Sequence, residues 1–230
     1  MTYFSEFLPL IFCIFLRRKL NTKALKVFFI YTVISALFVS TSLIFLFILK
    51  TKAGYLFLAR VYVLCEYIIF SLFLYFLFKN TIVKRVTLIS ILFFLIITLI
   101  DLIKQKSGFS NAPSLIEFLI FIILLIYFFF ERMNTVVTHP LYQNITFWIA
   151  VGLLLYFSGN FFIFLLNKSS SDKTFVSQIK NIYSIVTITK NILLSAALFA
   201  NEQPENSNDN HFQFPEELNL DSFNLKNTYP

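Results

Sequence analysis

Seven apolar runs, separated by short polar breaks, fill the first two hundred residues of this 230-residue chain. They lie at about 3–16, 25–49, 54–78, 86–103, 112–130, 142–166 and 178–200. A run of about 18 or more apolar residues is long enough to cross the hydrocarbon core as a helix. The expected fold class is therefore all-α: a polytopic membrane helix bundle with about seven transmembrane helices. The lipid bilayer is its first expected partner. An apolar share of 58% and a mean hydropathy of +0.77 are too high for a soluble domain of this length. Phe alone supplies 32 residues, read here mostly as lipid-facing filler.

Charge divides the chain into two parts. Residues 1–200 read as the transmembrane domain and hold nearly all of the Lys and Arg. Residues 201–230 set Glu202, Glu205, Asp209, Glu216, Glu217 and Asp221 against Lys226 alone. This acidic stretch reads as a mostly disordered tail, because Asn, Glu, Pro and Ser cannot bury a core. Its later part carries Phe214, Leu218, Leu220, Phe223 and Leu225, with Pro215 suited to a helix start. Two readings stay open for it: a short docking motif for a signalling partner, or an inert tail.

Orientation follows from the placement of Lys and Arg near the helix ends. Arg17, Arg18, Lys19, Lys23, Lys26, Lys79, Lys84, Arg85 and Arg132 fall on one side. Lys50, Lys52, Lys104, Lys106, Lys168 and Lys173 fall on the other. The larger group is expected in the cytoplasm. That places the N-terminus outside and the C-terminus inside. The basic excess is thus a mark of topology, and no nucleic-acid partner is expected. The first run is short, about 14 residues or roughly 21 Å. It carries Glu6 and Pro9 near its start and lacks the marks of a cleavable signal.

An ionisable side chain inside the membrane is costly, and so is a functional candidate by default. Five stand out: Arg60, Glu66, Asp101, Glu117 and Lys190. Glu66 and Lys190 lie nearest mid-span and are expected either to pair or to neutralise by a pKa shift. Such a pair either fixes which helices are neighbours or serves a ligand or a proton. Arg60, Asp101 and Glu117 fall in the outer third, where they either snorkel or line a cavity open to the exterior. The last run has a polar stripe at helical spacing: Tyr183, Thr187, Lys190 and Asn191. The sixth has Gly152, Tyr156, Gly159 and Asn160; the third has Tyr62 four residues before Glu66. These three faces are expected to meet inside the bundle. The glycines read as packing positions that let a neighbouring helix approach.

The search for enzymatic motifs is nearly empty. There is no HExxH, GxSxG, phosphate-binding loop or GxGxxG, and no His in any apolar run. No catalytic residue is assigned. Cys13, Cys65, His139 and His211 lack metal-ligand spacing, so neither a metal nor another cofactor is expected.

Two segments carry a resemblance. FWIAVGLLLYFSGNFFIFLL, at 147–166, and ITKNILLSAALF, at 188–199, resemble uncharacterised seven-helix bacterial membrane proteins. Those look like the membrane sensor modules joined to histidine kinases. The resemblance covers about residues 1–200 and carries over no catalytic residue. It implies a bacterial inner membrane and a sensor or signalling accessory, although no kinase domain follows here. Lys190 and Glu66 also match in position the retinal-bearing Lys and its counter-ion in microbial rhodopsins. Val186 departs from that family's Asp, and Trp148 is the only Trp. The rival functions are a transporter or channel component, an intramembrane lipid-modifying enzyme and a purely structural subunit. Ligand, partner identity and oligomeric state are not legible in the sequence.

Overall fold

A computed structural model describes residues 2–48, 52–104, 112–134, 143–167 and 173–200. The tail, 201–230, and parts of the loops 131–141 and 167–177 lie outside the described residues. The described chain is all-helical. Its helices are α1 (Thr2–Ser5), α2 (Phe7–Phe15), α3 (Lys23–Leu43), α4 (Lys52–Leu77), α5 (Thr81–Lys104), α6 (Ala112–Asn134), α7 (Ile145–Asn167) and α8 (Lys173–Ala197). α1 and α2 form one bent rod, so the bundle has seven rods. Five of them, α3 to α7, are long and apolar enough to cross a membrane. The α1–α2 rod is shorter, and α8 is long but more polar.

Several helices run past the apolar runs that mark them. α5 begins at Thr81 and includes Lys84 and Arg85, which precede its apolar run. Hydropathy reports the bilayer edge, while the helix continues until its backbone is capped. The caps are local. Thr22 Oγ1 accepts from Leu25 N at 3.3 Å and starts α3. Asn80 Oδ1 accepts from Ile82 N at 2.9 Å, and Asn144 Oδ1 from Thr146 N at 2.8 Å. Each fills one of the donors that a helix start leaves unpaired.

The bend between α1 and α2 also has a sequence cause. Pro9 has no N–H to give the carbonyl four residues earlier. The helix therefore breaks at Glu6, which sits between Ser5 and Phe7 outside both helices. From Thr2 to Phe15 the rod spans about 21 Å, short of a hydrocarbon core of about 30 Å.

The rods form a ring in which α2, α3, α4, α6, α7 and α8 each pack on the next, and α8 closes on α2. α5 lies outside that ring, against α4 and α6, and is the least buried of the five apolar spans. The ring interior is aromatic. Phe157 on α7 stacks on Phe121 of α6 at 4.5 Å, and Phe70 of α4 meets both edge-on. Tyr67 stacks on Phe94 of α5 at 4.0 Å. This corrects the reading of Phe as lipid filler. Phe28, Phe70, Phe73, Phe78, Phe94, Phe118, Phe121, Phe128 and Phe157 are buried, as many as are exposed among the described residues. Lipid tails are as apolar as Phe, so burial is driven by close packing, and flat rings pack well edge to face.

Candidate functional site

The polar stripe of α8 faces the ring interior at Lys190 and Asn191. Lys190 is 1% exposed, and its long stem is fully enclosed. Its ammonium donates to Glu6 Oε1 at 3.2 Å and to the Tyr31 hydroxyl at 2.9 Å. It also stands 4.6 Å from the centre of the Tyr156 ring. An ammonium has three donors and no acceptor, so two oxygens and one ring face complete its surroundings.

Each partner is held in turn. Glu6 Oε2 accepts from Ser35 Oγ of α3 at 2.7 Å. The Tyr31 hydroxyl, also on α3, donates to Glu66 Oε1 of α4 at 3.5 Å. One residue after Lys190, Asn191 Nδ2 donates to Ser5 Oγ at 3.0 Å. The ion pair expected between Lys190 and Glu66 is thus made with Glu6 instead. Glu66 joins the same cluster through Tyr31. Glu6 lies at the interruption between α1 and α2, and its side chain reaches Lys190 from there.

The remaining candidates divide. Tyr62 is half-buried, stacks on Phe38 at 4.1 Å and stands within interaction range of Ser35, Tyr31 and Glu66. Tyr156 is buried over the Lys190 ammonium. Thr187 is buried, but its hydroxyl bonds back to the Tyr183 carbonyl at 2.9 Å. Tyr183 is 40% exposed and lies on the rim of the cluster. Glu117 of α6 is buried within electrostatic range of Glu66 and Tyr67, and its Oε1 makes no hydrogen bond within the protein. Asn160 is fully buried, and neither its Oδ1 nor its Nδ2 has a partner among the described residues. Arg60 is half-buried and lies by helical register nearly opposite Tyr62 and Glu66. Asp101 is half-buried on α5, outside the ring.

Glu6, Ser5, Tyr31 and Ser35 complete the cluster and were not singled out in the sequence. A signal existed for two of them. Tyr31, Ser35 and Ser42 follow the same helical spacing as the stripe on α8, and all three are buried. Among the described residues, no three of His, Cys, Asp and Glu stand close enough to hold a metal ion. Cys13 and Cys65 are free thiols.

A second set of contacts ties α2 to α8 at the other end of the rod. Lys19 Nζ donates to the carbonyls of Leu198 at 3.3 Å and Ala200 at 3.2 Å. Phe12 meets Phe199 edge-on at 5.2 Å. A cation at a helix C-terminus satisfies carbonyls that the helix itself leaves free.

No protein-family model matches the chain, and no curated protein or solved structure matches it. Function is therefore argued from the cluster itself. Chemically, it can hold one carboxylate against one ammonium out of water. It can also pass a proton between Glu6, Lys190, Tyr31 and Glu66, which are joined by hydrogen bonds.

Proposed function

We propose that this membrane protein is a sensor or signalling accessory whose receiving element is the buried cluster around Lys190. One observation supports this best: α2 and α8 are joined twice, inside the bundle at Glu6–Lys190 and at its edge at Lys19. α8 leads directly into residues 201–230. A change that loosens the buried pair shifts α2 and, through Lys19, the end of α8. The proposal places the chain in a bacterial inner membrane with its N-terminus outside and its tail in the cytoplasm. The polar cavity then opens outward past Tyr62, Glu66, Glu117, Tyr156, Asn160, Tyr183 and Thr187. The output contact is with a partner protein at about residues 214–225.

The test joins two measurements in cells. A photo-crosslinking residue at Phe223 identifies the protein that meets the tail. The output of that protein is then compared between wild type and Lys190→Met. The expected result is an altered output with full accumulation of the membrane protein. An output indifferent to both Lys190→Met and Glu6→Gln overturns the proposal.

A transporter is the second reading, and Glu117 favours it. Its carboxyl extends the series of acids from part-buried Glu6 through buried Glu66 toward α6. Proton flux into liposomes, lost in Glu66→Gln, would replace the sensor reading with this one.

A further inference from the structure

The geometry points to a binding site for small aliphatic monocarboxylates, which the side chain of Glu6 occupies as an internal ligand. The site is built from elements other than the one that fills it. Lys190 of α8 supplies the charge, Ser35 of α3 a hydroxyl donor, and Tyr31 and Tyr156 the aromatic walls. Lys190 and Ser35 are 1% and 2% exposed. These two donors bind the two oxygens of one carboxylate, as a recognition site for a free carboxylate does. Beside it, Asn191 Oδ1 is buried with no partner in the protein.

Exchange requires the occupant to leave. On this proposal residues 2–6 move away at the interruption beside Glu6, where Pro9 removes one backbone hydrogen bond, while α2 stays anchored at its other end. The anchors there are Cys13, which is fully buried, and the Phe12–Phe199 contact. That segment is tied to α8 by the Asn191–Ser5 hydrogen bond, while its aromatic residues face outward. Tyr3 is 43% and Phe4 82% exposed.

Charge and size then select the ligand. A neutral or cationic ligand leaves the Lys190 ammonium buried and unpaired, which is strongly unfavourable. A dianion adds excess negative charge beside Glu66. A monocarboxylate exchanges for Glu6 with no change in charge. Beyond its Cα, the Glu6 side chain is two methylenes and a carboxylate. Propionate therefore reproduces the group that it displaces, atom for atom apart from the link to the backbone. The inference names the ligand of the cluster proposed above as the receiving element. It rests on that reading only for its biological use, since binding and signalling are measured separately.

The experiment uses the full chain in lipid nanodiscs and propionate as the probe, with chloride at equal ionic strength as the reference. Thermal stability is followed as propionate is titrated. Binding to the folded state alone raises stability saturably with ligand concentration. In Glu6→Ala the site is vacant, and a saturable rise is expected. In wild type the internal carboxylate competes, so the apparent affinity should be at least about tenfold weaker. In Glu6→Ala/Lys190→Met the rise should vanish. Glu6→Gln replaces Glu6→Ala if the latter fails to accumulate, because the amide keeps the shape and removes the charge. Octanoate in a parallel titration separates a membrane-borne source from a water-soluble one. It should match propionate only if the ligand enters from the bilayer. A vacant site that gains no more from propionate than from chloride overturns the inference. So does a gain that survives Lys190→Met. Either result leaves the partner-output measurement, and the sensor reading, standing.

Discussion

Lys190→Met, Glu6→Gln and their combination form a cycle that isolates the buried pair. At 3.2 Å and an effective dielectric of about 20, the gross attraction is about 5 kcal/mol. Desolvation of both groups cancels part of this, while removal of one partner leaves the other buried and unpaired. Such losses run to about 3–5 kcal/mol. Glu6 keeps its Ser35 donor, and its side chain is 11% exposed, so it is less stranded than Lys190 would be. Lys190→Met should therefore cost about 3 kcal/mol, and Glu6→Gln somewhat more. The double variant should recover about 2 kcal/mol of the summed loss. The same cycle between Lys190 and Glu66 should give a smaller coupling, because the two interact by charge but share no direct hydrogen bond and are bridged by Tyr31. Thermal unfolding in detergent, read with a thiol-reactive dye, measures all six proteins. At about 2–4 °C per kcal/mol, a 3 kcal/mol loss lowers Tm by about 6–12 °C. A Lys190–Glu66 coupling equal to or above the Lys190–Glu6 coupling would refute the pairing described here.

Other parts of the chain give outcomes of their own. A Cβ on Gly159 would meet both Val186 methyls at 3.0 Å, so Gly159→Ala should cost about 1–3 kcal/mol, and Val186→Ala should restore most of it in the same unfolding assay. Gly152→Ala meets Leu193 at the looser distance of 3.3 Å and should cost less. Asn160→Leu removes two buried polar atoms that have no partner, so Tm should hold or rise; a fall would reveal a partner such as an ordered water. Reporter fusions after Ala200 should be active in the cytoplasm, and truncation after Asn201 should leave Tm unchanged.

The architecture was legible in the sequence because the bilayer imposes one rule on every span. Apolar runs long enough to cross it must be helical, and the breaks between them cannot be hidden. Helix ends were less legible, since Thr22, Asn80 and Asn144 cap by local hydrogen bonds that hydropathy does not register. The interior was legible in part. Lys190 and Asn191 announced the inward face of α8 because a charge at that depth has nowhere else to go. Their partner was not announced. Depth counted along each run placed Glu66 opposite Lys190, and it placed Glu6 near a surface. The first run is short, about 21 Å against a core of about 30 Å, so depth counted from its start is a poor guide, and its start lies at the level of the buried lysine.

That difference changes what the pair can do. A charge pair between two full spans is buried by both, and separating it requires two rods to part. Here one partner sits at the tip of a short rod beyond a proline break, with exposed aromatic residues just before it. The cost of separation falls on five residues, while Cys13 and Phe12 hold the rest of α2 against the bundle. The rod that carries the movable carboxylate is also the one whose far end is pinned to α8 by Lys19. Its middle is thus a lever between a site that can change state and the point where the chain leaves the bundle. Lys19→Met offers the sharpest trial of that lever. It should leave propionate binding in Glu6→Ala intact, since Lys19 lies beyond the far end of α2 from the site. It should raise hydrogen exchange at Leu198–Ala200 and uncouple exchange there from the state of Lys190. If Lys190→Met alters exchange at Leu198–Ala200 equally with and without Lys19, the signal travels along α8 itself and the lever is not needed.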